Sequence, residues 1–185
     1  MLKRRIILFF VFLVVFSATF SIGATVDVPE DEAKAFLEEF EKMIAEIQNE
    51  NFGVQIFLHN TQLALPMFIP GFGVAWGIFS AYSTGFAFSA LSTTIDPLLT
   101  KIPPIAMIFS TPFGIMELGA YALAMSRSCI LIIHIIKKTP IRPQWKTIIL
   151  EIGIMVVLLF AGGIIEASMI QTFSESTPEI KWKRE

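Results

Sequence analysis

The stretch Phe113–Ile136 reads FGIMELGAYALAMSRSCILIIHII, and it decides the class of fold. Only Glu117 and Arg127 carry a formal charge within it. A helix crosses the hydrocarbon core of a bilayer with about 20 predominantly apolar residues. The stretch is long enough for that crossing and too long for a strand, so it predicts a transmembrane helix.

The composition of the whole chain agrees with this class. Of its 185 residues, 54% are hydrophobic and only 16% are charged, against roughly 25% charged in an ordinary soluble domain. The mean hydropathy is +0.68. We therefore expect an all-α fold, a polytopic transmembrane helix bundle of four or five spans with one extracytoplasmic amphipathic helix.

Four further apolar stretches complete the set: Ile6–Ile22, Phe52–Ile69, Phe72–Ser92 and Thr147–Ile170. Because only Pro70-Gly71 separates the two middle ones, residues 52–92 are predicted to form an antiparallel transmembrane hairpin. Residues 93–112 are expected to be an outer loop. Residues 113–170 would then hold the last two spans, joined by the basic loop 137–146, with a polar tail at 171–185.

Residues 1–23 allow two interpretations. A basic start, an apolar run and small residues before Ala24 fit a signal peptide that is removed. The run is also long enough to span a bilayer. We favour a retained membrane anchor, and a cleaved signal is the alternative.

Residues 24–51 predict an acidic amphipathic helix outside the membrane. Apolar residues recur at steps of three and four, which gives a helix one apolar face: Ala33, Phe36, Leu37, Phe40, Met43, Ile44 and Ile47. The other face is rich in Glu, which anionic lipid repels. The apolar stripe either packs on the chain's own helices or binds a partner protein.

The third apolar stretch carries small residues four apart: Gly73, Gly77, Ala81, Gly85 and Ser89. Small residues at this spacing let another helix backbone approach closely. We assign the stripe to helix packing, since nothing in it indicates a ligand, and we expect the stripe and the acidic helix to be the contact surfaces for other subunits.

Lys and Arg in short loops set the orientation of membrane proteins. The start of the chain (Lys3, Arg4, Arg5) and the loop 137–146 are both basic and should be cytoplasmic, and five spans place them on one side. We expect a multi-pass protein of the cell membrane with a cytoplasmic N-terminus, if the first span is retained, and an outside C-terminus.

The ionisable residues at membrane depth are expected to form two groups. Glu117 and Glu166 should lie at one level near the outer ends of their helices, with Asn60 and His59 somewhat deeper. They form either a hydrogen-bonded latch between helices or part of a pathway for protons or cations. Arg127 and Glu151 lie nearer the inner side and predict a salt bridge, because a charge at this depth needs a partner.

Other classes of function fit poorly. Two His and one cysteine, Cys129, cannot build the usual zinc sets. There is no GxSxG or HExxH motif, and no basic stripe with interleaved aromatics for nucleic acid. We expect no enzyme activity, no cofactor, no metal and no nucleic-acid partner. The expected partners are the lipid bilayer and other membrane subunits or further copies of this chain.

The chain resembles the SpoIIM-like family of membrane proteins over most of its length. The matching motifs are Phe57-Leu58-His59-Asn60, the Gly-rich third stretch, Thr111-Pro112-Phe113-Gly114-Ile115-Met116-Glu117-Leu118-Gly119, Arg127, and Ile164-Ile165-Glu166-Ala167. Where the family pattern has Pro-His-Gly and Glu-Leu-Pro, this sequence has Phe113 and Gly119 in place of the His and the second Pro.

The bacterial namesake of the family is similar to a non-catalytic membrane component of a complex that remodels the cell wall during engulfment, and the resemblance implies for this chain a non-catalytic membrane component without that sporulation role. We therefore expect an integral subunit or scaffold of a membrane protein complex. The alternative is a small transporter or channel-like component whose polar site is formed by Glu117, Glu166 and Asn60.

Overall fold

The structure is a computed structural model that describes residues 2–47, 51–95 and 103–176. This part of the chain is built from helices and contains no strand. Its seven α-helices are α1 (Leu2–Gly23), α2 (Glu30–Ile47), α3 (Phe52–Ala64), α4 (Phe72–Ile95), α5 (Pro104–Ser110), α6 (Pro112–Ile136) and α7 (Trp145–Ser176). Short 3₁₀ turns follow α3 at Leu65–Phe68 and precede α7 at Arg142–Gln144.

Within the described residues, four helices are long and apolar enough to cross a membrane, namely α1, α4, α6 and α7. The predicted fold class is thus confirmed. The remaining apolar stretch, 52–69, is not one helix. Pro66 lacks the backbone N–H that an α-helix needs at that position, and the chain tightens there from α3 into the 3₁₀ turn. α3 alone covers about 20 Å at 1.5 Å per residue.

The segment 93–112, expected to be a loop, contains a helix. α5 packs on α6 and α1, and its Ile108 contacts the main core. Its start at Pro104 suits the first helical turn. Thr111 caps the start of the next helix, because its Oγ1 accepts a hydrogen bond from the Gly114 N–H at 3.2 Å. Residues 96–102 and most of the predicted polar tail, 177–185, lie outside the described residues.

The long helices have definite relative directions. α1 and α4 run parallel. Both helices start near the loop 137–146, because Arg5 of α1 contacts Glu151 and Gly71, just before α4, lies on Ile132 of α6. Toward the other end of α4, Ser89 donates to the Val26 carbonyl, just after the end of α1. α6 and α7 run antiparallel and are joined by the loop 137–146. We call the end of the bundle with this loop and Arg5 the basic end, and the end that carries α2 the acidic end.

α1 is an integral part of the packed interior. Phe12, Phe16 and Phe20 are buried, and the Phe16 ring stacks on the Tyr121 ring of α6 with centroids 5.2 Å apart. Its opposite face leaves Ile7 and Val14 more than 60% exposed. One face of α1 thus meets the bundle, and the other presents apolar side chains that suit contact with lipid.

Candidate functional sites in the helix bundle

Arg127 and Glu151 meet at the basic end, as the sequence predicted. Arg127 Nε donates to Glu151 Oε2, and both side chains are buried. The structure adds a third partner from α1, because an Arg5 guanidinium nitrogen donates to the other Glu151 oxygen. One carboxylate therefore ties together the helices α1, α6 and α7.

The sequence pattern does not identify Arg5 and Gln144 as members of this network. Gln144 Oε1, in the 3₁₀ turn before α7, accepts from Arg127 Nη1 at 3.2 Å. Gln144 Nε2 lies 3.5 Å from His134 Nε2, and His134 Nδ1 lies 2.7 Å from Thr139 Oγ1. His134 thus packs against the basic loop, and the network runs from α1 into that loop.

The charges of this network do not balance. Two guanidinium groups, of Arg5 and Arg127, share the single carboxylate of Glu151. Arg127 is fully buried, yet its Nη2 has no hydrogen-bond partner in the described part of the protein. A buried charged donor without a partner costs free energy. The basic end therefore holds an excess positive charge and spare N–H donors.

A second polar group lies toward the acidic end. Asn60 Nδ2 of α3 donates to Glu117 Oε1 of α6 at 2.6 Å. Glu166 of α7 is close enough to Glu117 for their charges to interact, and both carboxylates act electrostatically on the Tyr121 hydroxyl. Two of the three helices approach very closely here, because Gly53 of α3 lies against the Gly163 backbone of α7.

His59 does not join this group. It is exposed, whereas the adjacent Asn60 is buried. Neighbouring residues on a helix point in different directions, so placing Asn60 on Glu117 turns His59 outward. Of the four residues predicted to gather near this end, the structure brings together Asn60, Glu117 and Glu166.

The small-residue stripe of α4 lies within the chain. Its members, Gly73, Gly77, Ala81, Gly85 and Ser89, are all buried. An added Cβ would meet the Met67 backbone at Gly73, the Met125 side chain at Gly77, and the Phe20 backbone at Gly85. Ser89 Oγ donates to the Val26 carbonyl at 2.7 Å. The stripe is therefore not a free surface for a partner.

The first turns of α2 also pack on the chain itself. Ala33, together with the preceding Val28, is buried against Ala90 of α4, and Phe36 and Phe86 pack around them. The charged side chains at the start of α2 point away from this contact and are exposed: Glu30, Asp31, Glu32, Lys34 and Glu38. The acidic face of α2 is thus held outward at the acidic end of the bundle.

The described part of the chain forms a bundle with four membrane-length helices, ion pairs buried between helices and a largely apolar exterior. These features define a multi-pass integral membrane protein. The family model described as Stage II sporulation protein M matches residues 6–169. The chain belongs to the SpoIIM family. Comparisons with curated proteins and with solved structures give no match.

Proposed function

We propose that this protein is a non-catalytic subunit or scaffold of a membrane protein complex. The observation that carries the proposal is the fixed presentation of α2. Its apolar side chains Val28 and Ala33 are buried on α4, so its acidic face keeps a set direction relative to the bundle. A complementary basic surface of a partner protein fits that face, because opposite charges steer and orient association.

The packing inside the bundle supports the same proposal. The buried stripe of α4 and the three-helix ion pair of Glu151 hold the helices together. These features give a rigid platform, which suits a protein whose role is to position others.

Neutralising the acidic face is expected to release the partner. The test variant combines Asp31→Asn, Glu32→Gln and Glu38→Gln, all at exposed positions. Rim charges at interfaces change association rates and salt dependence, so we expect clearly weaker recovery of partners in mild detergent, measured by pull-down and mass spectrometry. A matched control replaces the exposed Lys3, Lys137 and Lys146 with Gln at the basic end. Equal recovery of partner proteins by both variants would contradict the scaffold function. A monodisperse monomer that is active by itself in liposomes would contradict it as well.

The Asn60–Glu117 hydrogen bond favours a second candidate, a small transporter or channel-like component. Carboxylates inside a bundle serve proton and ion pathways in other membrane proteins, and Glu166 lies near this pair. Glu117→Gln and Glu166→Gln separate the two functions. Loss of ion or proton flux in liposomes with unchanged assembly would favour transport, whereas loss of assembly without any flux in the unaltered protein would favour the scaffold.

We further propose that residues 1–23 stay attached in the mature protein as a signal-anchor. Removing α1 would uncover Tyr121 and take Arg5 from Glu151. We expect the intact mass of the membrane-purified protein to include this helix. N-terminal sequencing should start at a residue before Ala24. A mature chain that starts at or near Ala24 would contradict this interpretation.

A further inference from the structure

The basic end has positive charge left over after its internal contacts are made. Arg127 is fully buried, and two of its three nitrogens bind Glu151 and Gln144. Its Nη2 has no partner in the described structure. Arg5 adds a second guanidinium, whose side chain is 33% exposed. The planar guanidinium fork matches the oxygens of phosphate and carboxylate groups.

The surface beside this cluster has the chemistry of a lipid-headgroup site. A groove at the start of α7 is lined by Ile141, Arg142 and Trp145. Trp145 is 64% exposed, and exposed tryptophans in membrane proteins concentrate at the level of the headgroups. Gln144 lies between Arg142 and Trp145 in sequence and accepts a hydrogen bond from Arg127, so the turn that forms the groove is held against the buried cluster.

The charge around the groove favours an anion. Residues 134–150 contain Lys137, Lys138, Arg142 and Lys146 and no Asp or Glu. Basic pockets between transmembrane helices on the cytoplasmic side bind anionic lipid headgroups. The most abundant anion at that depth is the phosphodiester of a phospholipid, whereas a free anion would have to come from water.

We propose that the groove and the Arg5–Arg127 cluster form a binding site for the phosphate of an anionic phospholipid. Arg142 and Arg5 contact the headgroup from the exposed side. Trp145 and Ile141 pack against the glycerol and the upper acyl chain. The spare N–H donors of Arg127 complete the contact when the Gln144 side chain shifts. The negative charge of the lipid phosphate would then balance the second positive charge of Arg5 and Arg127, which Glu151 alone does not neutralise.

Quenching of Trp145 fluorescence by brominated lipids tests this site. The protein is reconstituted in vesicles that hold the same fraction of brominated acyl chains, either on phosphatidylglycerol or on phosphatidylcholine. The Trp145 signal is the part lost in Trp145→Phe. We expect stronger quenching by the anionic lipid, with a preference of about five-fold for each arginine engaged. Equal quenching by the two lipids would overturn the proposal.

Two variants define the site, and one serves as the control. Arg142→Gln should lower the preference by about five-fold, whereas Lys137→Gln, at an exposed position of the same loop, should keep it. Arg127→Lys keeps the charge opposite Glu151 but removes the guanidinium fork, and it should lower the preference without changing elution on a sizing column. If Arg127→Lys fails to fold, Arg142→Gln carries the test. Equal losses in Arg142→Gln and Lys137→Gln would indicate general surface charge and overturn the site.

A phosphate titration distinguishes a lipid phosphate from a free phosphate ion as the group that the site binds. Inorganic phosphate is added at constant ionic strength to vesicles that contain brominated phosphatidylglycerol. The lipid site predicts unchanged quenching. Loss of the lipid preference in phosphate, but not in chloride, would assign the site to a free anion and overturn the lipid assignment.

Discussion

Replacing Glu151 with Leu is expected to destabilise the bundle more than any other single change of a charged residue. Glu151 is buried and is shared by Arg127 and Arg5. Removing one partner of a buried ion pair leaves a charge without compensation, at a cost of about 3–5 kcal/mol. We expect unfolding at a clearly lower fraction of SDS in mixed micelles, together with loss of the monodisperse peak on a sizing column.

A second substitution shows whether the cost comes from the orphaned charge. In the double variant Glu151→Leu with Arg127→Met, both buried charges are gone, and Arg5 can turn toward water because a third of its side chain is already exposed. Replacing a complete buried ion pair with apolar residues is often close to neutral. The double variant should therefore be more stable than Glu151→Leu alone.

The control is an ion pair on the surface. Glu30→Gln removes the negative charge of the contact with Lys34, in which Lys34 Nζ donates to Glu30 Oε1 at 2.7 Å. Because both groups are exposed, water replaces the lost contact, and no measurable change is expected. Should Glu151→Leu behave like Glu30→Gln, the three-helix ion pair would not exist as described.

The prediction of this ion pair from sequence was correct in part, for a physical reason. The membrane depth of Glu151 and Arg127 predicts their pairing, because a charge there needs a partner. The sequence places Arg5 only in the basic start of the chain, where Lys3, Arg4 and Arg5 look alike. Only the packing of α1 on the bundle shows that Arg5, and not its neighbours, faces Glu151.

The fold could be predicted where hydrophobic length decides the outcome. α6 begins at Pro112 and ends at Ile136, within one residue of the predicted span, because Thr111 caps one end and the basic loop ends the apolar run. α5 was missed because residues 93–112 contain several prolines and no long apolar run. Its seven residues are held by packing on α6 and α1, which a local sequence pattern does not contain.

At the candidate site near the acidic end, the sequence predicts how deep each residue lies in the membrane but not which way its side chain points. The predicted depths bring Asn60, Glu117 and Glu166 near one another, and the structure gathers these three. Depth carries no information about rotation, so it did not separate Asn60 from His59. Rotation is set by the approach of α3 to α7 at Gly53 and Gly163.

Gly85→Ala is expected to separate α1 from α4 and to destabilise the protein. An added Cβ would lie 2.1 Å from the Phe20 carbonyl oxygen and 2.8 Å from the Ala24 nitrogen. Both are backbone atoms, so no side chain can turn away and the two helices must move apart. Overpacking of this kind costs about 1–3 kcal/mol, and it should appear as a lower unfolding midpoint in an SDS titration.

Gly119→Ala is the matched control, because it makes the same change on another membrane-spanning helix. An added Cβ at Gly119 meets nothing within 4 Å. Alanine favours a helix over glycine by up to about 1 kcal/mol, so the expected result is a neutral or slightly raised stability. Equal effects of Gly85→Ala and Gly119→Ala would mean that α1 does not pack on α4 at this position.

Gly23 extends the test across the same contact from the other helix. Its added Cβ would lie 2.2 Å from the Tyr82 carbonyl oxygen of α4, so Gly23→Ala alone should resemble Gly85→Ala. Changes that act on one interface are not additive. Once one alanine has forced α1 and α4 apart, the second alanine no longer clashes. The double variant should therefore lose less stability than the sum of the losses of the two single variants. Full additivity would mean that the two glycines act on separate contacts, which contradicts a single close approach of α1 and α4 at Gly23 and Gly85.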